Sequence, residues 1–538
     1  MNKRKPIPIL LLVPFAAFGQ SPPNQRVLLE NSILSGSFGP EMNLFQDTAG
    51  DSAHYSLRMM ASPGSEPQSL VYSSALWYGG ISDNQLYMTA SMYDSPEIDD
   101  PCYSGFGPIS EAYGPVYQMR YNRVWLFDQS DIENHVSQFD SPGYVVPENL
   151  ASYPGNGRSE FGESHLLLPF VDANDNGIYE PELGDHPKIR GDRCVTWVVN
   201  DASNGAEDRP QIETILQAYL FTEGPEELLQ TLFVNAQLRN RSERDYTDFS
   251  LGVFVDADVN WEMKNRIGCD PYSNYAYTYS PYDFNPDNWI SDYGIPSNVA
   301  TFFPEDDMHS HMFFLNGNDD NGRPQDPDHF YHYLNARWKN GQPLTYGGNG
   351  FAPGNGNNPD ITTQFMFPDF IWAIDGGGWS DYPALPASDR TQVLSIEPQD
   401  FDAGEALCFH YAFVASADTN ATDALNIMDD KIDALQAWWD THADTECMDP
   451  EHPLSTGELN HTAAELGLYP NPTSGLLRLA GLPSTDAQQI QVADLSGRVL
   501  ISATLSGGQS QVDVRALPSG MYLVRLPERG SALPFVRE

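Results

Sequence analysis

The segment 170–187, FVDANDNGIYEPELGDHP, has the residue types and spacing of a cation loop. Asp172, Asn174 and Asn176 alternate, and Gly177 stands sixth, as in the first half of an EF-hand or dockerin-type calcium loop. Oxygen ligands at alternate positions converge when the backbone wraps a cation. Glycine allows the sharp turn, and the Ile178 carbonyl would serve at position seven. The twelfth position is Leu183 rather than Glu, so Glu180, Glu182 or Asp185 must close the shell, with Asp185 the best placed. The competing reading is an Asx-rich turn held by its own side-chain hydrogen bonds. Asp256, Asp258 and Asn260, with Asp270 beyond a loop, form a second candidate calcium set. Strand alternation puts Asp256 and Asp258 on one face, where they repel unless calcium or an arginine such as Arg239 or Arg266 joins them. A third acidic run, Asn318 to Gly322 with Asp326 and Asp328, reads as a plain turn.

Other signals are weaker. Arg190-Gly191-Asp192 spells an adhesion tripeptide but sits within a Gly-Asp pattern, and such triplets arise by chance. His309 and His311, with His329 and His332 nearby, are the best zinc candidates, yet no HExxH motif or fixed third ligand accompanies them. Tyr272, Tyr275, Tyr277 and Tyr279 could stack on sugar rings or fill a strand. The chain contains no G-x-S-x-G elbow, phosphate loop or dinucleotide motif. Carboxylates are so plentiful that a glycosidase pair could stand anywhere, and no pair can be chosen. Catalytic residues are therefore unassigned, and the balance leans away from an enzyme.

Lys plus Arg number 28 against 74 Asp plus Glu, a formal net charge of −46. Such a chain repels nucleic acid and anionic membrane surfaces. The excess lies upstream of residue 466, because charges beyond it nearly cancel. Five cysteines, Cys102, Cys194, Cys269, Cys408 and Cys447, allow at most two disulfides and include no CxxC.

The elements that must position these groups are mostly strands. Residues 211–221, 231–240 and 249–258 alternate apolar and polar side chains, as in a meander. Further strands are predicted at 70–76, 86–92, 116–127, 193–199, 312–315, 391–396 and 406–416. One helix is predicted over Asp423 to His442, where Ala424, Ile427, Met428, Ile432, Leu435, Trp438 and Trp439 recur at three- and four-residue steps, and it should pack on the last sandwich. The fold class is mostly β: a multidomain β-sandwich passenger with one late helix, then a small Ig-like sandwich. Expected boundaries are a signal peptide at 1–19, an N-terminal β-rich region at 20–205, a β-sandwich region ending in the helix at 206–444, a linker at 445–465 and a terminal domain at 466–538. The signal reading rests on Lys3-Arg4-Lys5, an apolar stretch from Ile7 to Phe18, and Ala17-Phe18-Gly19 before Gln20. No other run is apolar for long enough to span a membrane.

The terminal stretch carries Tyr469-Pro470-Asn471-Pro472, Gly475, the turn Asp494 to Gly497-Arg498, and Leu517-Pro518-Ser519-Gly520-Met521-Tyr522. Between these turns the apolar pairs Leu477/Leu479, Ile490/Val492, Val499/Ile501, Val512/Val514 and Tyr522/Val524 keep period two, which fits a β-sandwich. The ordered set resembles the type A C-terminal sorting domain of the type IX secretion system of Bacteroidota-type bacteria. That resemblance implies a secreted or surface-attached cargo, a removable tail and the type IX machinery as partner. The passenger resembles large secreted proteins with the same tail, through D-x-N-x-N-G-x-Y-x-P, Gly184-Asp185-His186-Pro187, Gly191-Asp192, Asn200-Asp201, Asp256 to Asp270, Tyr346-Gly347-Gly348 and Asp389-Arg390. This second likeness implies architecture without an activity. Two roles are open: a calcium-stabilised structural, adhesive or glycan-binding surface protein, with glycans or surface polymers as partners, or a secreted hydrolase acting on polysaccharide or protein.

Overall fold

The computed structural model describes residues 26–47, 52–53, 55–57, 68–93, 104–203, 209–279, 295–351, 357–369, 378–418 and 421–443, and in the tail 467–469, 473, 475–480, 488–494, 499–505, 511–526 and 531–537. The signal at 1–19 and the linker at 445–465 lie outside them, as do Pro470, Asn471, Pro472, Gly497 and Arg498. The chain divides into two compact units, Met1–Glu451 and His452–Glu538.

The larger unit is built on a nine-stranded antiparallel sheet. Its order is Trp125–Asp128, Arg193–Asn200, Ile212–Leu220, Thr231–Asn240, Ala406–Ala417, Ser297–Phe302, Tyr275–Tyr279 and Arg266–Asp270, with Gly105–Phe106 also on Arg193–Asn200. A six-stranded sheet packs against it, ordered Met308–Phe314, Thr391–Ile396, Tyr246–Asp256, Ser73–Ser82 and Gln85–Ala90, with Gln399–Phe401 on Tyr246–Asp256. The alternation in the sequence explains the pairing. Leu232, Val234, Ala236 and Leu238 share one core with Leu251, Val253, Trp77 and Phe254 of the second sheet. Trp77 stacks on Phe254 at 5.4 Å and meets the Phe330 edge at 4.8 Å. Each large side chain so enclosed stabilises the fold by about 1.5–3 kcal/mol.

The outer face of the nine-stranded sheet is covered too, so strand Ile212–Leu220 is buried on both sides. Helix Ala421–His442 lays Leu425, Met428, Ile432, Leu435 and Trp439 over Phe233, Tyr275, Tyr277 and Tyr279. Shorter helices Pro115–Tyr121, Gln129–Gln138 and Glu148–Ala151 cover Val198 and Ile215. The first of these corrects the strand expected at 116–127. Pro115 occupies the first helical turn, and Tyr117 and Tyr121, four apart, bury one face; only Trp125–Asp128 is strand. The boundary expected at 205/206 also falls inside one sheet, because Arg193–Asn200 pairs along its length with Ile212–Leu220. Tyr55 of the four-stranded sheet Val27–Glu30, Leu34–Phe38, Tyr55–Leu57 and Gln68–Val71 donates its hydroxyl to the Phe413 carbonyl at 2.9 Å, tying the N-terminal strands to the same core.

The smaller unit has a three-stranded sheet, Gly467–Tyr469, Leu476–Ala480 and Gln511–Asp513, and a four-stranded sheet ordered Val499–Leu505, Gln488–Asp494, Gly520–Leu526 and Ser531–Arg537. Leu477, Ile490, Val492, Val512, Val514, Tyr522 and Val524 form its core. Gly475 holds the chain against Val514, whose N–H donates to its carbonyl at 2.8 Å, and Tyr522 donates its hydroxyl to the Pro518 carbonyl at 2.9 Å.

Candidate functional site

Asp256 is the last residue of strand Tyr246–Asp256 and faces Thr391, the first of strand Thr391–Ile396. Continuing that antiparallel register by two residues sets Asp258 opposite Asp389. Alternation keeps Asp256 and Asp258 on one face. Carboxylate oxygens of Asp256, Asp258 and Asp389 all lie within 4.8 Å of one another, the one such metal-competent group of acids, histidines and cysteines among the described residues. They form part of a cleft of about 630 Å³ with Glu262, Tyr72, Tyr93, Arg323, Asn316 and Gln46.

Few bonds neutralise this cluster. Tyr93 donates its hydroxyl to Asp256 at 2.8 Å, and Asn316 donates its side-chain N–H to Asp389 at 2.8 Å. The Arg323 guanidinium lies 4.8 Å from the Tyr93 ring centre. Burial pushes the Asp256 carboxyl above the usual range, and Asp389 adds to the shift. Burial raises Asp258 as well, reinforced by Asp256, Asp389 and Glu262. Burial also raises Asp389. Such a group must hold protons or gain a cation.

Neither arginine considered from the sequence supplies that charge. Arg239 pairs with Glu213 at 3.3 Å and Arg266 with Asp381 at 3.5 Å, while Arg390 joins Asp381 at 3.1 Å. Asp270 is not brought into the group. It ends a strand of the other sheet, where its carboxylate accepts the Tyr272 and Ser273 N–H groups at 2.8 and 3.3 Å. Asp389 takes the third place. In the sequence it stood out only through the passenger resemblance, although its position two residues before a strand was a usable signal.

Loop 172–185 is closed by a short ribbon pairing Phe170–Val171 with His186–Pro187. Asp172 accepts the Asn174 and Gly177 N–H groups at 3.2 and 2.6 Å, and Asn176 accepts the Ile178 N–H at 2.7 Å. Gly177 has φ +75°, which glycine adopts without strain. Asp185 is fully buried and accepts the Ala173 and Glu180 N–H groups at 2.8 and 2.7 Å, binding the two ends of the loop. The Ile178 side chain is exposed.

The remaining sequence candidates take structural places. His311 is fully buried, one ring nitrogen 2.9 Å from the Met366 carbonyl and the other 2.8 Å from Gln392; burial lowers its pKa to about 4. His309 contacts Gln364, and His332 the Lys339 carbonyl. Tyr275, Tyr277 and Tyr279 lie beneath the long helix, so of the tyrosine group only Tyr272 is exposed. Arg190 is buried and Asp192 accepts the Thr222 N–H and hydroxyl, so the tripeptide is not displayed. Asp326 precedes helix Pro327–Leu334 as its N-cap, consistent with the turn reading of 318–328. Cys194 and Cys269 are free and buried, and Cys408 is disulfide-bonded.

Residues 467–533 match the family described as the secretion system C-terminal sorting domain. The chain therefore carries a secretion tail, which supports a type IX cargo, a secreted or surface location and contact with that machinery. The match covers none of the passenger loops. No curated protein matches the chain. Among solved structures, a polysaccharide lyase aligns with 69% of this chain and 39% of its own at 9% identity and a TM-score of 0.19; so low a score carries no argument. Among the described residues no helix is long and apolar enough to cross a membrane.

Proposed function

We propose that the passenger is a calcium-dependent surface protein whose acidic cleft binds glycan through the cation, and that the type IX route delivers it. The observation behind this is the convergence of Asp256, Asp258 and Asp389 within 4.8 Å in the lining of a cleft. The donor set is all oxygen, with neither thiolate nor imidazole, which suits a hard cation such as calcium. Calcium takes 6–8 oxygens. Three carboxylates leave positions open toward the cleft, where vicinal sugar hydroxyls can complete the shell. Tyr72 and Tyr93, ring centres 6.0 Å apart, offer apolar faces to a sugar, and Gln46, Asn316 and Arg323 offer hydrogen bonds. Asp172, Asn174, Asn176, the Ile178 carbonyl and Asp185 are proposed as a second, structural calcium site.

A glycan array probed with the mature chain tests this. Binding should require calcium and vanish with EDTA or in Asp389→Asn. Glycan retention that survives both changes refutes the calcium-mediated reading. The alternative of a secreted polysaccharide hydrolase draws on one feature: a raised Asp258 carboxyl keeps its proton closer to neutral pH, as a general acid requires. Release of reducing ends from a polysaccharide panel, lost in Asp258→Asn and indifferent to EDTA, would favour it.

A further inference from the structure

Lys431 stands on the long helix with only 8% of its surface exposed. Its Nζ donates to the side-chain carbonyl oxygen of Gln230 and, at 3.2 Å, to the Ala415 carbonyl. The Gln230 side-chain N–H donates to Glu226 Oε1 at 2.7 Å, and that same oxygen lies 3.9 Å from Lys431 Nζ. Strand Ala406–Ala417 aligns the two groups through a single residue: the Ala415 carbonyl receives the amine, and the Ala415 N–H donates to the Gln230 backbone carbonyl at 3.0 Å. Leu228, Leu425, Met428 and Ile432 form the apolar core beside them. An amine, a carboxamide and a carboxylate that touches the amide nitrogen are thus held together at the edge of a dry core.

We propose that Lys431 and Gln230 are joined by an intramolecular isopeptide bond, with Glu226 carrying the proton. Neutral Lys431 Nζ attacks Gln230 Cδ, and a C–N bond forms. Glu226 accepts a proton from Nζ and delivers it to Nε2. The Cδ–Nε2 bond then breaks and ammonia leaves. One amine and one primary amide become one secondary amide and ammonia, with no oxidant, cofactor or co-reactant. Glu226 faces solvent, which gives the ammonia a way out. Burial supports the attacking species, lowering the Lys431 pKa to about 8 against the opposing influence of Glu226 and Glu227. The bond would tie the helix covering the tyrosine face to the turn that precedes strand Thr231–Asn240, across 201 residues of chain.

Peptide mass spectrometry on the mature full chain tests the bond. A branched peptide joining the segments of Gln230 and Lys431 is expected, lighter by one ammonia than the two linear peptides combined. Intact mass alone is insufficient, because cyclisation of an N-terminal Gln20 sheds the same ammonia. Lys431→Arg keeps the charge and should yield no branched peptide. Glu226→Ala leaves both reactants and should reduce the linked fraction at least tenfold with an unchanged far-UV spectrum. Linear peptides carrying an unmodified Lys431 and Gln230 from the wild type overturn the proposal, and an undiminished link in Glu226→Ala overturns the role of Glu226.

Discussion

Replacing Asp258 with Asn should raise the melting temperature of the calcium-free protein and remove its response to calcium at the cleft. Two charges at the 4.8 Å limit set by the three carboxylates repel by about 3.5 kcal/mol at an effective dielectric constant of about 20. Protonation caps the strain at the cost of retaining a proton, about 1.4 kcal/mol for each pH unit above the ordinary carboxyl pKa, or about 4 kcal/mol near neutral pH. The relief on replacing Asp258 is therefore set by the repulsion, about 3.5 kcal/mol. Unfolding entropy of about 2.1 cal/mol/K per residue over about 430 residues makes this about 4 °C. Wild type should gain about 1.4 kcal/mol at tenfold and about 2.7 kcal/mol at hundredfold excess of calcium over Kd, or about 1.5–3 °C. The sign with pH follows from the raised carboxyls of Asp256, Asp258 and Asp389. The folded state binds more protons than the unfolded state between the ordinary and raised pKa values, so calcium-free stability falls as pH rises through that window. Calcium binding needs the deprotonated forms, so its stabilisation should grow over the same window and fade in acid. Calorimetry in EDTA and in calcium between pH 5 and 8 reads both trends. If Asp258→Asn melts below wild type in EDTA, or wild type shows no calcium response at pH 8, the electrostatic reasoning fails.

Other substitutions probe separate parts of the molecule. Asp381→Ala strands the buried Arg266 and Arg390 and should cost about 3–5 kcal/mol by denaturant titration; a loss below 1 kcal/mol would mean the pair is not desolvated. Titration calorimetry should find two calcium equivalents in wild type and one in either Asp172→Ala or Asp389→Asn. Asp185→Ala should in addition destabilise by about 2 kcal/mol, because it removes the acceptor of two backbone N–H groups from a buried position. Deleting residues 466–538 should leave a folded passenger in the periplasm by cell fractionation; normal surface delivery of the truncation would refute the role of the tail.

The tail was legible because its turns and period-two pairs are local, and the apolar pairs lie on strands of the structure, except that Val514 falls just beyond Gln511–Asp513. Passenger strands such as Thr231–Asn240 and Thr391–Ile396 were legible for the same reason. Pro115–Tyr121 was not, since tyrosines four apart in a segment that also contains Val116 satisfy either period over so short a stretch. The tyrosines at 275, 277 and 279 alternate as a strand should. Only the position of the distant helix decides that their face is closed, and periodicity within the strand cannot report it. The cleft was half legible. Asp256 and Asp258 are two apart in one strand extension, but their third member comes from a segment more than a hundred residues later, through sheet register. Asp270 was nearer in sequence and belongs to the wrong sheet.

Strand order in the nine-stranded sheet also constrains when the passenger can fold. Ala406–Ala417 lies between Thr231–Asn240 and Ser297–Phe302, so a chain synthesised from its N-terminus cannot close the sheet until residue 417 is available. Pairings this distant in sequence form slowly, because the ordering cost of the intervening chain comes before the contacts that offset it. An emerging passenger would thus lack its central strand for most of its synthesis, and a nascent chain that stays open is one that translocation machinery can still thread.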